Sequence, residues 1–571
     1  MPTLAPTNFN IVVSVLGGWI SLFGLVSYLL KENFYLSEAL ISLVAGLTFS
    51  PHAANFVRPL EYAGSEENLN AITLYFTRLV LGVQLVLAGV QLPSRYLRTE
   101  WKPLALLLGP IMTAMWLMTS LLVWGLVPHL PFLHALAIGA CVTPTDPVLS
   151  NVIVKGRFAD HNVPKNLQTI IIAESGANDG LGYPFLFLAL YLIKYIGDGG
   201  VSESGGAGLA IGLWFGETWG YTILLSVVYG AVVGWIAREL LHFCEERKFV
   251  DRESFLVFAF SLALFITGTC GMIGSDDILA CFIAGNVFTW DDWFRLATVD
   301  DSLQPTIDML LNVAIFMWYG AVCPWHSFVA NAVIPIYRLI PLGILILLLR
   351  RLPFILAFCK KIPQIDGLRQ AIFMGFFGPI GCSAIFYLYV TLDFVIALNP
   401  NQGSAPRWDV VHLQEAVSVI VWFMVICSVV VHGLSIPLGK FGIYLPRTIS
   451  RTLSSPDDLI SFQVGGRVIP RSRSRDETTL NTPSDSRSVS ARPIFRIGGS
   501  IIPEHAATTR PSPGHLSTAS EIVGPRDNPD PGSVSPEVGP ESLASMPSPV
   551  PPNRMIRFPD ETSPGDIESR S

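Results

Sequence analysis

Two motifs place carboxylates and prolines inside apolar runs of this chain. TPTDP at 143–147 interrupts one run, and ESGAND at 174–179 lies inside the next. A carboxylate at membrane depth is costly unless it is paired, hydrated or neutralised. Prolines on both sides of Asp146 would break a helix and free backbone carbonyls. Carbonyls beside an ionisable carboxylate form an oxygen-lined site for a small hard cation, and the carboxylate can hold a proton instead.

Asp179 is the first candidate for that exchange, because it lies near the middle of an apolar run. Asn178 adds a neutral carbonyl oxygen next to it. Ser175 lies one helical turn earlier on the same face, so its hydroxyl is a further candidate ligand. The alternative is that Asp179 forms a purely structural ion pair, with Arg78 or Arg338 as candidate partners.

Asp146 has two compatible roles in this interpretation. Its carboxylate could bind the cation, or it could accept backbone N–H bonds at the start of the second half-helix. Thr143 and Thr145 offer hydroxyls and carbonyls as neutral ligands, and Pro144 and Pro147 support the break.

Three further acids are predicted to support the site. Glu174 lies on the helix face of Asn178, and it would either hold the junction of a broken helix or titrate as a second site. Asp276 and Asp277 open a short apolar segment, where acids complement the helix dipole. Alternatively, these two face outward and gather cations at an external mouth.

The composition indicates a polytopic membrane protein, since 51% of residues are hydrophobic and 14% are charged. A net charge of −7 without a basic stripe argues against nucleic-acid binding. The eight cysteines are scattered without a C-x-x-C motif, so neither disulfides nor a structural metal site is expected. No cofactor is predicted.

Hydropathy predicts an all-α fold with about 13 transmembrane helices. The segments are 9–30, 37–56, 70–92, 104–127, 132–153, 166–195, 217–241, 253–273, 276–289, 305–325, 332–358, 368–397 and 411–438. Most Lys and Arg residues fall in odd-numbered loops, and Arg350 and Arg351 are assigned to one of them. The positive-inside rule therefore places the N-terminus outside and the C-terminal tail in the cytosol.

A second break is predicted at GFFGPIG, residues 375–381, which includes Gly378 and Pro379. It lies seven segments after the first break, and an odd offset inverts the direction through the membrane. Interrupted helices at matching positions of an inverted repeat indicate a transporter's substrate site. The alternative is that both are ordinary proline kinks.

The chain divides into a transmembrane domain, residues 1–445, and a cytosolic tail, residues 446–571. Ser, Pro, Arg and acidic residues dominate the tail, so it is predicted to be largely disordered and regulatory. Arg/Ser motifs at 471–475 and 486–490 and an apolar stretch at 493–502 are candidate contacts for a cytosolic kinase or adaptor.

Several motifs in the same order resemble fungal plasma-membrane sodium/proton antiporters of the monovalent cation:proton antiporter superfamily (CPA1-type). They are TPTDPV at 143–148, ESxxNDG at 174–180, SDDILA at 275–280, EERKFVDRES at 245–254, the stretch 375–387 and GKFGIYLPRT at 439–448. The resemblance covers roughly residues 9–455.

The resemblance implies a dimerisation domain, a core with two crossed unwound helices, and a homodimer in membrane lipid. It implies that Asn178 and Asp179 form the ion-binding pair, with Asp146 and the neighbouring threonines contributing. It also implies export of Na⁺ and Li⁺, often K⁺, in exchange for H⁺. Many relatives carry an Arg in the second break, but this sequence has none there, which leaves the partner of Glu174 open.

The sequence thus predicts a non-enzymatic antiporter in which cation and proton compete for Asp179. A cation channel or uniporter is one alternative. An intramembrane aspartyl protease with Asp146 and Asp179 as its dyad, or a membrane sensor signalling through its tail, belongs to another class.

Overall fold

A computed structural model describes residues 7–28, 36–154, 162–196, 205–398 and 408–453, and all regular structure within these ranges is helical. Thirteen segments follow one another, four of them divided into two halves that we label a and b. In chain order they are α1 Asn8–Tyr28, α2 Glu38–Phe49, α3 Glu66–Gln91, α4 Trp101–Leu126, α5a Phe132–Val142, α5b Pro147–Val154, α6a Lys165–Gly180, α6b Gly182–Ile196, α7 Gly206–Glu246, α8 Arg252–Ile273, α9 Asp277–Phe288, α10 Leu303–Val322, α11a Ile336–Leu349, α11b Leu352–Phe358, α12a Leu368–Phe376, α12b Cys382–Ala397 and α13 Trp408–Leu453.

The predicted polytopic α-fold is confirmed. Nine helices in the described part of the chain are long and apolar enough to cross a membrane. The shorter apolar helices α2, α5a, α9 and α12b account for the other four segments.

Some boundaries differ from the prediction. Helix α2 ends at Phe49 instead of 56, because Pro51 follows and the chain turns into the short helix Pro59–Ala63. Helix α7 begins at Gly206, well before the predicted 217. Helix α13 continues to Leu453, past the predicted start of the tail at 446, and the remainder of that predicted tail lies outside the described residues.

Both predicted breaks are present. Helix α5a ends at Val142 and α5b begins at Pro147, a residue suited to the first helical position because its missing N–H is not needed there. Helix α12a ends at Phe376, and α12b begins at Cys382. These two gaps leave four and five residues of non-helical backbone in the interior of the protein, where every polar group needs a partner.

A third interruption at Leu181 divides α6 just after Asp179. Pro184 has no N–H to donate to the Gly180 carbonyl four residues earlier, so that carbonyl is left without its helical partner. The Tyr387 hydroxyl donates to it at 3.3 Å and also contacts the Asp179 carbonyl. Tyr387 on α12b therefore fixes the backbone that carries Asp179.

Two helix pairs outside the breaks pack closely. Helix α3 lies along α9, and α2 lies along α10. A Cβ on Gly46 would contact the backbone of Met317, and a Cβ on Gly320 would contact that of Leu43. The glycines thus let α2 and α10 approach at backbone distance, as in other membrane helix pairs.

Candidate functional site

The two broken helices meet at their breaks. The backbone N–H of Asp146, in the first break, donates to the carbonyl of Pro379, in the second, at 3.0 Å. This bond satisfies one freed group from each break with the other, which is what non-helical backbone needs in a water-poor interior.

Asp146 lies at the N-termini of both second half-helices. One carboxylate oxygen, Oδ2, accepts from the Leu149 N–H of α5b at 2.8 Å, and Oδ1 accepts from the Ser383 N–H of α12b at 3.3 Å. Its side chain is fully buried. Helix N-termini carry partial positive charge, so one carboxylate offsets both.

Arg350 lies at the C-terminal ends of both first half-helices. Its guanidinium donates to the carbonyl of Val142, the last residue of α5a, and to those of Thr143 and Pro144 just beyond it, the last two at 3.1 and 3.2 Å. It also donates to the Gly378 carbonyl beyond α12a. Helix C-termini carry partial negative charge, so Arg350 is the cationic counterpart of Asp146. We call the place where the breaks 143–146 and 377–381 meet the crossing.

The residue after Arg350, Arg351, forms an ion pair with Glu174. Nη1 and Nη2 of Arg351 donate to the two Glu174 oxygens at 2.5 and 2.8 Å, a bidentate arrangement. Nε donates to the Met374 carbonyl of α12a at 2.9 Å. Both side chains are only 3% exposed. The partner that sequence analysis left open therefore comes from the junction of α11a and α11b, and it ties α6a to α12a.

Asn178 and its neighbours bind the first break. Asn178 Oδ1 accepts from the Thr145 N–H at 3.2 Å, and its Nδ2 donates to Thr145 Oγ1 at 2.7 Å. Thr145 Oγ1 lies 3.2 Å from Ser175 Oγ, which donates to Ser150 Oγ at 3.2 Å. These contacts join three of the predicted site residues into one polar cluster between α5 and α6a.

Asp179 differs from the other acids at the crossing. It is 1% exposed, and neither carboxylate oxygen makes a hydrogen bond within the described residues. Asp146 and Asp276 are its charged neighbours, and the Ser383 hydroxyl lies beside it. A buried carboxylate without a partner is costly, so Asp179 is the group on which a proton or a cation would be stabilising.

Thr143 stands apart from the polar cluster. Its hydroxyl donates to the Gly139 carbonyl at 2.7 Å, within its own helix, and its carbonyl accepts from Arg350. Among the predicted neutral ligands, the hydroxyls of Thr145 and Ser175 belong to the polar cluster around Asn178.

The structure places Asp276 and Asp277 in the interior, at 0% and 3% exposed, where they fit the capping role better than the alternative of an external mouth. Asp276 Oδ1 accepts from the Leu279 N–H at 3.1 Å and so begins α9, as expected for a capping acid. Asp277 accepts from Arg78 Nε at 2.8 Å. Arg78 is thus engaged with Asp277 and not with Asp179.

The assignment of Arg350 and Arg351 to a cytosolic loop was wrong, since both side chains are buried, at 2% and 3% exposed. One sequence signal could have identified them. Both lie inside the predicted apolar segment 332–358, and an arginine within a span indicates a buried partner. Pro353 follows them and interrupts α11 at the same point.

Gly381 provides a test of the packing around Asp146. A Cβ at this position would lie 2.5 Å from Asp146 Oδ2 and 2.8 Å from Cγ, too close for either to stay in place. We expect Gly381→Ala to displace the Asp146 carboxylate and to lower the free energy of unfolding by about 1–3 kcal/mol, the cost of disrupting a buried charged hydrogen bond. The free energy is measured by denaturant titration. Gly268→Ala on α8, where nothing lies within 4 Å, is the control, and equal stabilities of the two variants would contradict the expectation.

A family model described as "Sodium/hydrogen exchanger, transmembrane" matches residues 19–438. The chain belongs to this family. It is 38% identical to a probable Na⁺/H⁺ antiporter of Schizosaccharomyces pombe over 78% of this chain and 58% of the relative. It is 36% identical to Na⁺/H⁺ antiporter 2 of Zygosaccharomyces rouxii over 77% of this chain and 54% of the relative. The chain spans about half the length of these two relatives.

The fold of this exchanger-family chain is also similar to a solved structure. The sodium proton antiporter MjNhaP1 of Methanocaldococcus jannaschii matches 76% of this chain and 98% of that chain, with a TM-score of 0.54 and 16% identity. The predicted family and the multi-pass antiporter-type fold are therefore confirmed, and the likeness in structure concerns the fold alone.

Proposed function

We propose that this protein is a secondary antiporter that exchanges cytosolic Na⁺ for H⁺ at Asp179. The observation that carries the proposal is the buried Asp179 carboxylate, whose oxygens make no hydrogen bond within the described residues. The other charged groups at the crossing have partners: Asp146 accepts from two backbone N–H groups, Arg350 donates to carbonyls, and Arg351 pairs with Glu174. The names of the fungal relatives support the same pair of ions.

The proposed exchange follows from competition for one carboxylate. A proton on Asp179 removes its charge, and a Na⁺ beside it offsets that charge. Asn178, Thr145, Ser175 and Asp146 supply further oxygens in the proposed cation-bound state. Movement of the site across the membrane costs least when Asp179 is neutralised in one of these ways, so the two ions alternate.

Finer features of the function rest on the sequence alone. We propose Li⁺ as a further substrate and K⁺ as a candidate one, a homodimeric protein in the plasma membrane, an outside N-terminus, and a cytosolic tail that contacts a kinase or adaptor. In this role the protein would serve salt tolerance and pH homeostasis.

The geometry favours exchange over the protease alternative. An aspartyl dyad needs two carboxylates that share one proton and face a substrate. Both oxygens of Asp146 instead accept backbone N–H bonds that begin α5b and α12b. This arrangement suits a fixed counter-charge at helix ends better than an acid–base catalyst.

The deciding experiment is ²²Na⁺ uptake into proteoliposomes driven by a pH gradient. Purified wild-type protein is expected to accumulate Na⁺ when the lumen is acidic, and a protonophore is expected to abolish the accumulation. Uptake that persists without a gradient would indicate a channel or uniporter. No uptake at all would overturn the antiporter proposal, and empty liposomes are the control.

A further inference from the structure

Two side chains of α13, Ser428 and His432, contact the backbone of the second break. The hydroxyl of Ser428 accepts from the backbone N–H of Ile380 at 2.7 Å. His432, one helical turn later, has Nε2 3.0 Å from the Phe376 carbonyl. Ser428 is 0% exposed and His432 is 3% exposed, so both contacts are shielded from water.

The two side chains also contact each other. Ser428 Oγ lies 3.1 Å from His432 Nδ1. His432 Nδ1 also lies 2.9 Å from the Ser428 carbonyl, so it contacts both the hydroxyl and the backbone of Ser428. Nε2 faces a carbonyl, so a proton on Nε2 lets the ring donate to Phe376.

The break has no polar side chain of its own. Residues 376–381 read FFGPIG and contain no side chain with an N–H or O–H group. Arg350 donates to the Gly378 carbonyl, and the Asp146 N–H donates to the Pro379 carbonyl. The Phe376 carbonyl accepts from the Gly378 N–H at 3.0 Å, and His432 is its second contact. The Ile380 N–H donates to Ser428, its one acceptor among the described contacts.

One peptide group is consequently held from two sides. The Pro379 carbonyl and the Ile380 N–H belong to the same planar unit. Its oxygen accepts from Asp146 of the first break, while its N–H donates to Ser428 of α13. Rotation of this peptide would therefore displace Asp146, which lies beside Asp179.

We infer that Ser428 and His432 are positioning residues that fix the peptide plane of the second break and, through it, the Asp146 end of the ion site. The inference rests on the proposed exchange at Asp179 but assigns a separate role to α13. Neither residue touches the transported ion in this arrangement, so their effect is on the geometry of the site and not on its charge.

The test compares variants by the Na⁺ concentration that gives half-maximal exchange, KM, and by the maximal rate. Ser428→Ala leaves the buried Ile380 N–H without its acceptor, and we expect it to raise KM about tenfold, the usual effect of one buried unpaired group, with a smaller change in maximal rate. His432→Ala removes one of two donors to the Phe376 carbonyl, which keeps the Gly378 N–H, so we expect a smaller rise in KM. Ser428→Thr keeps the hydroxyl and His432→Gln keeps an N–H donor, so both should restore most of the affinity.

Matched controls come from the same helix. Ser435 Oγ donates only to the His432 carbonyl of its own helix among the described contacts, and His412 lies at the other end of α13. Ser435→Ala and His412→Gln should keep the wild-type KM. A lower yield of folded Ser428→Ala with an unchanged KM would indicate a merely structural role and overturn the inference.

A second measurement does not depend on transport. Amide hydrogen exchange of the peptide covering 376–381 should be faster in Ser428→Ala than in wild type, and close to wild type in Ser428→Thr. Unchanged exchange would overturn the inference. Failure of wild-type Na⁺ uptake would count against the proposed function, whereas unchanged KM values in active variants would count against the role of α13 alone.

Discussion

Asp179→Asn is expected to abolish coupled Na⁺/H⁺ exchange while the protein stays folded. The substitution removes the charge that binds Na⁺ and the group that carries the proton, but it keeps the shape of the side chain. Neither Asp179 oxygen makes a hydrogen bond of normal geometry within the described residues, and Asn keeps an oxygen beside the neighbouring Ser383 hydroxyl, so the substitution should preserve the native contacts. Removal of an unpaired buried charge should leave stability unchanged or raise it.

The measurement is pH-gradient-driven ²²Na⁺ uptake in proteoliposomes, with thermal unfolding of the same preparations. Asp292→Asn is the matched control, since Asp292 lies in the loop after α9 and pairs with Arg295 at 2.7 Å, away from the crossing. The control should exchange at close to the wild-type rate. Exchange retained by Asp179→Asn would show that the proton and cation bind elsewhere.

Arg351→Met is expected to destabilise the protein by about 3–5 kcal/mol, the range for breaking a buried ion pair from one side. The variant leaves Glu174 as an unpaired buried charge and the Met374 carbonyl without its donor. Glu174→Gln should lower the free energy of unfolding by less than Arg351→Met does, because the amide oxygen of Gln can still accept a hydrogen bond from Arg351. The double variant should be more stable than Arg351→Met alone, because it leaves no unpaired Glu174 charge.

The free energies of unfolding are measured by denaturant titration of the four proteins, and they form a double-mutant cycle. Arg338→Met on α11a is the control, because Arg338 is partly exposed and should change stability by no more than about 0.5 kcal/mol. A coupling energy near zero between Glu174 and Arg351 would contradict the role assigned to the pair.

The spans and the breaks could be predicted because their causes are local. Apolar runs of spanning length set the 13 segments, and Pro144, Pro147 and Pro379 interrupt them by removing N–H donors. Asp146 and Asp179 were found for the same reason, since an acid inside an apolar run is visible without a fold.

The two arginines show where local reasoning fails. Arg350 and Arg351 were treated as loop charges, because the positive-inside rule counts basic residues near segment ends. Whether a given Arg lies in water or between helices depends on what is packed around it. Arg351 meets Glu174 across 177 sequence positions, and Arg350 meets Thr143 across 207.

By itself the sequence determined the helical membrane fold, its family, the breaks in α5 and α12, and the acids Asp146 and Asp179 inside apolar runs, because each of these depends on hydropathy and backbone chemistry within a few residues. Only the tertiary structure decided which charges are matched. It brings two helix N-termini to Asp146 and two helix C-termini to Arg350, and it pairs Arg351 with Glu174. It leaves Asp179 without a hydrogen-bond partner in the described part of the chain. The physical reason is that pairing of buried charges depends on distances of a few ångströms between helices far apart in the chain, which no local pattern of residues records.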